Sequence, residues 1–403
     1  MPGHPSTPSH IFEKLGVRKV INAAGCFTKW GGPPMAPEAL AAFNEAAAWS
    51  VEIDELHRRA GEYIARRVGA EAAYVSSGAS GGIFVAVAAC LAGTDLERIA
   101  RLPAADGPNE VIGLLAHKGN GPYHQAAASA GGRVVWIGTS HSATGDDLAR
   151  AITDRTAVIL YMVLYEACCG LSLAETIRVA RAHPAGRRIR IIVDAAGELV
   201  PDGRFTRYQE MGADLSVFSG GKELRGPQGT GLVLGSKDLI EACRANGSPN
   251  DAIGRSLKVS KEEIAALVAA IDRFLERDPQ AEWRRWERQS ARVAGRLSRV
   301  PGVRAEATVI AATMPLRPMI PAVRVGWDRA ALGRTAQQVL AELLAGEPRI
   351  LLHRDGEDLF FNPDFLEEGQ EELVAERLAA ALSLPAPTPE GGAGPDRSRR
   401  RRR

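Results

Sequence analysis

The chain reads as an α/β protein: a large domain on a mainly parallel β-sheet, followed by a smaller α+β domain. Three observations predict this. Between about residues 70 and 245, short apolar runs alternate with amphipathic stretches, the pattern of strands covered by helices on both faces of a sheet. The chemically distinctive residues fall just after those apolar runs, at the carboxyl ends of the expected strands, where open α/β sheets place their sites. A length of 403 residues exceeds a single hydrophobic core and calls for two domains.

In chain order, residues 1–10 (Pro, Ser, His) form a loose tail. Residues 37–50, rich in alanine, and 54–68 are expected helices. Apolar runs at 72–76, 111–116, 134–137, 158–164, 189–193, 215–218 and 231–234 are the expected strands of the sheet. Residues 260–298, heavy in Glu and Arg, make one or two helices. Short strands follow near 303–310 and 322–325, then a helix near 334–344, strands near 350–352 and 358–361, and a last helix over 367–382. The expected division is 1–10 as a flexible tail, 11–50 as an N-terminal segment packing with the small domain, 51–245 as the large domain and 246–384 as the small one. Residues 385–403, Pro/Gly-rich and then Arg-rich, are expected to be disordered.

Composition narrows the class. With 45% hydrophobic and 24% charged residues, the chain has the make-up of an ordinary soluble globular protein. A net charge of +2, part of it in the terminal run 399–403, argues against a nucleic-acid surface; that run reads as a solvated tail. Five cysteines without a C-x-x-C pair give neither a disulfide frame nor a metal site, and fit reduced thiols in a cytoplasm. Residues 1–15 lack the apolar core of a secretory leader, and no apolar run is long enough to span a bilayer.

Three motifs carry chemistry. Ser219-Gly220-Gly221-Lys222-Glu223-Leu224-Arg225-Gly226-Pro227-Gln228 places one lysine in a glycine-rich loop between two expected strands. Its glycines let the backbone approach a flat ligand, and a lysine held there loses hydration, which frees its amine to attack a carbonyl. Arg190-Ile191-Ile192-Val193-Asp194 is a buried strand ending in an acid, followed by Ala195-Ala196-Gly197, which leaves room for a ring. A carboxylate there can pair with a protonated pyridine nitrogen; as a bare helix cap it would precede a better helix opening than Ala-Ala-Gly. Ser76-Ser77-Gly78-Ala79-Ser80-Gly81-Gly82 lies between a strand and an apolar helical run, so it presents backbone N–H groups to a phosphate. No Gly-Lys-Ser/Thr closes it as a nucleotide loop. A Gly-rich turn holding a lysine is common in isolation; phosphate loop, strand-end aspartate and glycine-flanked lysine in this order point to pyridoxal 5'-phosphate bound through Lys222.

These stretches resemble the fold-type I pyridoxal-phosphate enzymes, in the branch containing bacterial selenocysteine synthase and D-glucosaminate-6-phosphate ammonia-lyase. The resemblance also rests on Gly16-Val17-Arg18-Lys19-Val20-Ile21-Asn22-Ala23, on Glu55-Leu56 with Ala60-Gly61-Glu62 and Gly69-Ala70-Glu71, and on Ile253-Gly254-Arg255 with Lys258. It runs from about residue 11 to about 380. It implies Lys222 as the Schiff-base lysine and proton shuttle, Asp194 on the pyridine nitrogen, and Ser77, Gly78, Ala79 and Ser80 on the phosphate, with Ser219 a further phosphate contact. Two departures bear on the substrate. Cys26, near Thr28, stands where relatives more often carry a hydroxyl-bearing or small residue, and Glu198 stands where glutamine is common. Both are expected near the substrate.

Other residues follow the same strand-end logic. His117 is the first choice for a ring stacked on the pyridine, with His124 second and a loop histidine without a role the alternative for each. Tyr165-Glu166 follows another expected strand. Arg255 and Arg354, with Arg349, are candidates to clamp a substrate carboxylate, because guanidinium offers a two-pronged donor. The resemblance implies chemistry at the α-carbon of a small amino acid, with lyase action by β-elimination expected first and transamination or racemisation second. A cofactor-binding protein without catalysis is the reading from another class. Selenocysteine synthase itself is not expected, since no counterpart of its N-terminal tRNA-binding domain precedes residue 11. The fold implies a homodimer or a multiple of it.

Overall fold

In this computed structural model, residues 11–118, 123–186, 188–200, 203–309 and 320–383 are described; the expected tails at 1–10 and 385–403 lie outside them. The strands in chain order are β1 (Val20–Ala23), β2 (Ala72–Ser77), β3 (Glu110–Leu114), β4 (Arg133–Ile137), β5 (Thr156–Met162), β6 (Arg190–Asp194), β7 (Leu215–Ser219), β8 (Thr230–Gly235), β9 (Val303–Val309), β10 (Pro321–Trp327), β11 (Arg349–Asp355) and β12 (Asp358–Phe361).

Seven of them make one sheet in the order β4-β3-β5-β6-β7-β8-β2. The pairs β4–β3, β3–β5, β5–β6 and β6–β7 are parallel, joined by helical crossovers. β8 runs antiparallel to both its neighbours. The reason is local: β7 and β8 are joined by a short, helix-free loop, which cannot carry the chain back to the starting edge as a parallel crossover must. Continuous apolar sequence such as Ala157–Met162 suits a strand covered on both faces, and every residue of β5 is buried. One face packs on a core that includes Ile64, Ile159, Phe218 and Phe274; the other packs on a core that includes Ile83, Val87, Leu160 and Val217.

The chain divides into two compact units, at places other than the expected bounds. Among the described residues, the larger comprises 25–286 with 309 and 320–321, and the smaller 11–24, 287–308 and 322–383. The boundary expected at residue 246 therefore falls much later. Helix Lys261–Glu276 puts Ile264, Leu267, Ile271 and Phe274 into the core of the large sheet and packs along helix Pro37–Ala47, so both helices belong to the large unit. The expected N-terminal segment 11–50 is likewise split, since only residues up to 24 group with the smaller unit. There β1 pairs in parallel with β11, Val20 opposite Arg349, at the edge of a five-stranded sheet ordered β1-β11-β12-β10-β9. Its core contains Val323, Leu352, Phe361 and Leu378. Among the described residues no helix is long and apolar enough to cross a membrane.

Candidate active site

Register gathers the expected residues along one edge of the large sheet. β2 ends with Ser77 opposite Thr230, β7 ends with Ser219 opposite Gly231, and β6 ends with Asp194 between Met162 and Val217. Since β8 lies between β2 and β7, Ser77 and Ser219 flank it at about two strand spacings, ~10 Å apart.

The loop from β7 to β8 holds Lys222 through its own backbone. Gly220 N donates to Thr230 O at 2.9 Å, Gly226 N to Gly220 O at 2.9 Å and Arg225 N to Lys222 O at 2.8 Å. Arg225 takes a left-handed φ of 56°, a conformation costing a side-chain-bearing residue about 1 kcal/mol or more. Tertiary bonds hold it there: Ala36 N donates to Arg225 O at 2.8 Å, and Arg225 Nε to Pro34 O at 3.1 Å. A Cβ on Gly220 would strike Thr230 Oγ1 and one on Gly221 would strike Gln228, so the two positions before the lysine admit only glycine. Cys26 reaches this loop, its Sγ 3.6 Å from Gly221 O.

Lys222 leads back to the end of β6. Its Nζ lies 3.3 Å from where a Cβ on Gly197 would sit, and Glu223 Oε1 lies 3.7 Å from the same point. Asp194 is buried, with Oδ1 accepting a hydrogen bond from Ala196 N at 3.1 Å. Burial raises its carboxyl above the ordinary value, while Lys222 and that hydrogen bond pull it back. Glu198 is pushed up to about 7, first by burial, then by Glu223, against the opposing pull of Arg207 and Lys222. Burial also raises Glu223, opposed by Lys222 and Arg277.

The Ser/Gly loop is built as a helix start. Helix Gly78–Ala92 begins directly after β2, its cap residue Ser77 makes no side-chain capping bond, and Gly78 has φ 67°. Its first N–H groups thus keep their donors for a ligand. Ser76 Oγ donates to Gly78 O at 3.0 Å, and the lack of a side chain at Gly231 lets that turn lie against β8.

His117 is fully buried in a one-turn helix, Leu115–Lys118, rather than in a loop, with its ring edge-on to Tyr161 at 5.7 Å. His124 is buried against Trp136 at 4.4 Å. Burial lowers both imidazoles to about 4, so both are neutral near pH 7. Glu166 Oε1 accepts from Leu173 N at 2.6 Å and so holds the start of helix Leu173–Ala182; the side chain of Tyr165 and residues 119–122 lie outside the described part. Arg255 is exposed and pairs with Asp251 at 3.8 Å. Thr28 is exposed at the start of a short 3-10 helix. Arg354 belongs to the smaller unit, where its Nη1 donates to Gly356 O at 3.0 Å, and Arg349 Nε there donates to Leu344 O.

Residues 49–253 match the aminotransferase class-V family model. The chain belongs to that family. This class-V protein is 33% identical to 5'-C-glycyluridine monooxygenase-decarboxylase of a Streptomyces species, over 93% of each chain. It is 34% identical to D-glucosaminate-6-phosphate ammonia lyase of Salmonella typhimurium, over 92% of this chain and 97% of that one. A solved structure of a D-glucosaminate-6-phosphate ammonia-lyase superposes with a TM-score of 0.79 at 33% identity, covering 93% of this chain and 99% of that chain. The fold is therefore that of the fold-type I enzymes, and the cofactor of this class-V enzyme is pyridoxal 5'-phosphate.

The residues present fit that group. Lys222 offers an amine beside Gly197, where the missing side chain leaves space. Asp194 offers a buried carboxylate, which a protonated ring nitrogen would neutralise, and the uncapped helix start at Gly78 offers N–H donors to a phosphate. Sequence reasoning named Gly197 only as part of the room left for a ring and did not single out Glu223. Glu223 reads as the polar neighbour of a loop lysine, and only folding shows it buried over the β6 end.

Proposed function

We propose that the protein is a pyridoxal-phosphate-dependent lyase that removes a β-substituent from a small amino acid and releases ammonia and a keto acid. The observation that carries this reading is the convergence of Lys222 Nζ on Gly197, beside buried Asp194. Bound cofactor supplies an electron sink for the pair left when the α-proton departs. Lys222 takes the α-proton at Nζ. Asp194 keeps the ring nitrogen protonated, because the pair is worth most where water is scarce. The helix start at Gly78, Ala79 and Ser80, with Ser77 and Ser219, holds the phosphate, and His117 supports the ring. Arg255 is the guanidinium candidate for the substrate carboxylate, and Cys26 and Thr28 are the candidates for the substrate side chain. Elimination breaks the Cα–H and Cβ–substituent bonds; the leaving group takes a proton, and water supplies the keto oxygen as ammonia departs.

The ammonia lyase relative supports elimination over transamination or racemisation, and the monooxygenase-decarboxylase relative at similar identity makes carbon dioxide the product to look for if elimination fails. Among the described residues Cys26, Cys90, Cys169 and Cys243 lie outside any disulfide, which supports a cytoplasmic setting, and the fold supports a homodimer or a multiple of it. Borohydride trapping of cofactor-saturated protein, followed by peptide mapping, is expected to leave cofactor mass on Lys222 and none in Lys222→Ala. That mass on another lysine would overturn the assignment. An amino-acid screen for ammonia and keto acid tests the reaction, and inverted substrate or released carbon dioxide without ammonia would sink the lyase reading.

A further inference from the structure

One segment of the larger unit, residues 26–36, grips the lysine loop on both sides of Lys222. Before the lysine, Cys26 Sγ donates to Gly221 O at 3.6 Å. After it, Ala36 N donates to Arg225 O at 2.8 Å, and Arg225 Nε donates to Pro34 O at 3.1 Å. Between these ties Gly32 lies against the loop, where a Cβ would strike Gln228 Oε1 and stand 3.1 Å from Gly221 O. The segment is anchored from behind. Ala36 is fully buried at the start of helix Pro37–Ala47, and with Ala39 it packs on Ala266 and Ala270 of helix Lys261–Glu276.

The grip bears on a strained position. Arg225, at φ 56°, closes the turn that starts at the lysine, its N–H donating to Lys222 O at 2.8 Å. A residue with a Cβ leaves the left-handed region when nothing holds it, and the swing about its N–Cα bond re-aims the chain on the lysine's side. Glycine would take that φ without cost, so the side chain at 225 commits the loop to its ties. We propose that residues 26–36 form a clasp that sets Lys222 Nζ over Gly197, with Arg225 the positioning residue through which the clasp acts. This rests on Lys222 being the reactive lysine, and it says what puts that amine in place. With the clasp shut, Arg225 stays left-handed and Nζ stays at Gly197. With a tie removed, Arg225 relaxes and the amine spreads over other positions. A glycine at 225 has no such relaxation to make, so it should hold the loop with a tie missing.

Two ligands read this separately in full-length protein freed of cofactor. Pyridoxal phosphate, trapped by borohydride and mapped to its peptide, reports the lysine's position through its rate of attachment. Pyridoxamine phosphate, which has no aldehyde, reports the rest of the site through its affinity. Arg225→Met removes the Nε donor and keeps the Cβ. Attachment to Lys222 should then slow roughly tenfold, the population ratio set by the steric cost of a left-handed backbone. Arg225→Gly removes both and should return to within about threefold of wild type. Ala36→Pro deletes the N–H at a φ of −61°, which proline shares, and should match Arg225→Met; adding Arg225→Gly to it should recover the rate. Pyridoxamine phosphate affinity should stay the same in all of them. Wild-type attachment in Arg225→Met, a glycine variant as slow as the methionine one, or a parallel loss of pyridoxamine phosphate affinity overturns the clasp. If Ala36→Pro fails to fold, the Arg225 pair decides alone. Equal attachment to Lys222 in every variant would sink the clasp and leave the lysine standing, whereas no attachment to Lys222 in wild type would sink the reading of the lysine itself.

Discussion

Gly197 is the residue on which the β6 end and the lysine loop meet. Without a side chain there, Lys222 Nζ and Glu223 Oε1 both settle over its backbone, and Glu198 enters the same charged group. The charge balance has a stability signature. Glu198 rises from an ordinary 4.5 to about 7 in the folded chain, so the fold binds its proton more tightly than the unfolded chain does. That contribution is complete below about 4.5 and is lost as pH climbs through about 7. It amounts to on the order of 2–3 kcal/mol. His57, His117 and His124 act in the opposite sense: burial lowers each from 6.5 to about 4, so their contribution is present above 6.5 and lost as pH falls through about 4. Thermal melts of apoprotein against pH should therefore show the wild-type advantage over Glu198→Gln shrinking between about pH 4.5 and 7, with the acid limb shared by both. An advantage that does not change with pH would contradict the raised carboxyl. Lys222, Asp194 and the Ser/Gly loop were legible in the sequence because each sits at a strand end in a local motif. Glu223 was not, because its burial arises from contact with a segment about 25 residues away along the chain.

At the scale of elements, helix Gly78–Ala92 is a structural wedge and the proposed phosphate seat. It is apolar on nearly every side, with Ile83, Val85, Val87 and Leu91 all buried, as suits a helix lying across a sheet inside the core. Gly82 sets how closely it can lie. A Cβ there would stand 2.8 Å from Val217 Cγ1 and 2.9 Å from Ser76 Oγ, so the helix must lift or β7 must yield. Gly82→Ala is expected to cost about 1–3 kcal/mol by overpacking and to weaken cofactor affinity by displacing the N–H groups at Gly78–Ser80. Denaturant melts and cofactor titration check both; unchanged affinity beside a lowered midpoint would separate the helix position from the phosphate seat. The helix, its preceding strand and the turn between them were readable from the switch from alternating to continuous apolar sequence. The lysine loop's hairpin direction was hidden, since β8 looks like any other buried apolar strand until its neighbours are known.

At the scale of the whole molecule, each unit carries its own core, so damage to one should stay local. Phe361, fully buried in β12 among Val323, Leu352 and Leu378, belongs to the smaller unit. Phe361→Ala is expected to cost about 3–5 kcal/mol. Hydrogen exchange should accelerate in β10–β12 while β5–β7 keep their protection; equal loss in both would show that the cores unfold as one. The expected domain bounds went astray for the same reason that cores are hard to read. Helix Lys261–Glu276 has an amphipathic pattern that fits either unit, and what assigns it to the larger is which apolar face its stripe meets.

The sequence by itself determined the strand–helix alternation and the cofactor class, and it nominated Lys222, Asp194 and the Ser/Gly loop as the proposed cofactor residues, since these are written in short stretches whose chemistry does not depend on distant neighbours. Tertiary structure alone decided that β8 runs against its neighbours, that residues 25–50 and 246–286 join the larger unit, and that Glu223 and Lys222 meet over Gly197. Those outcomes depend on register and burial, which are properties of segments packed together and leave no periodic trace along a single chain.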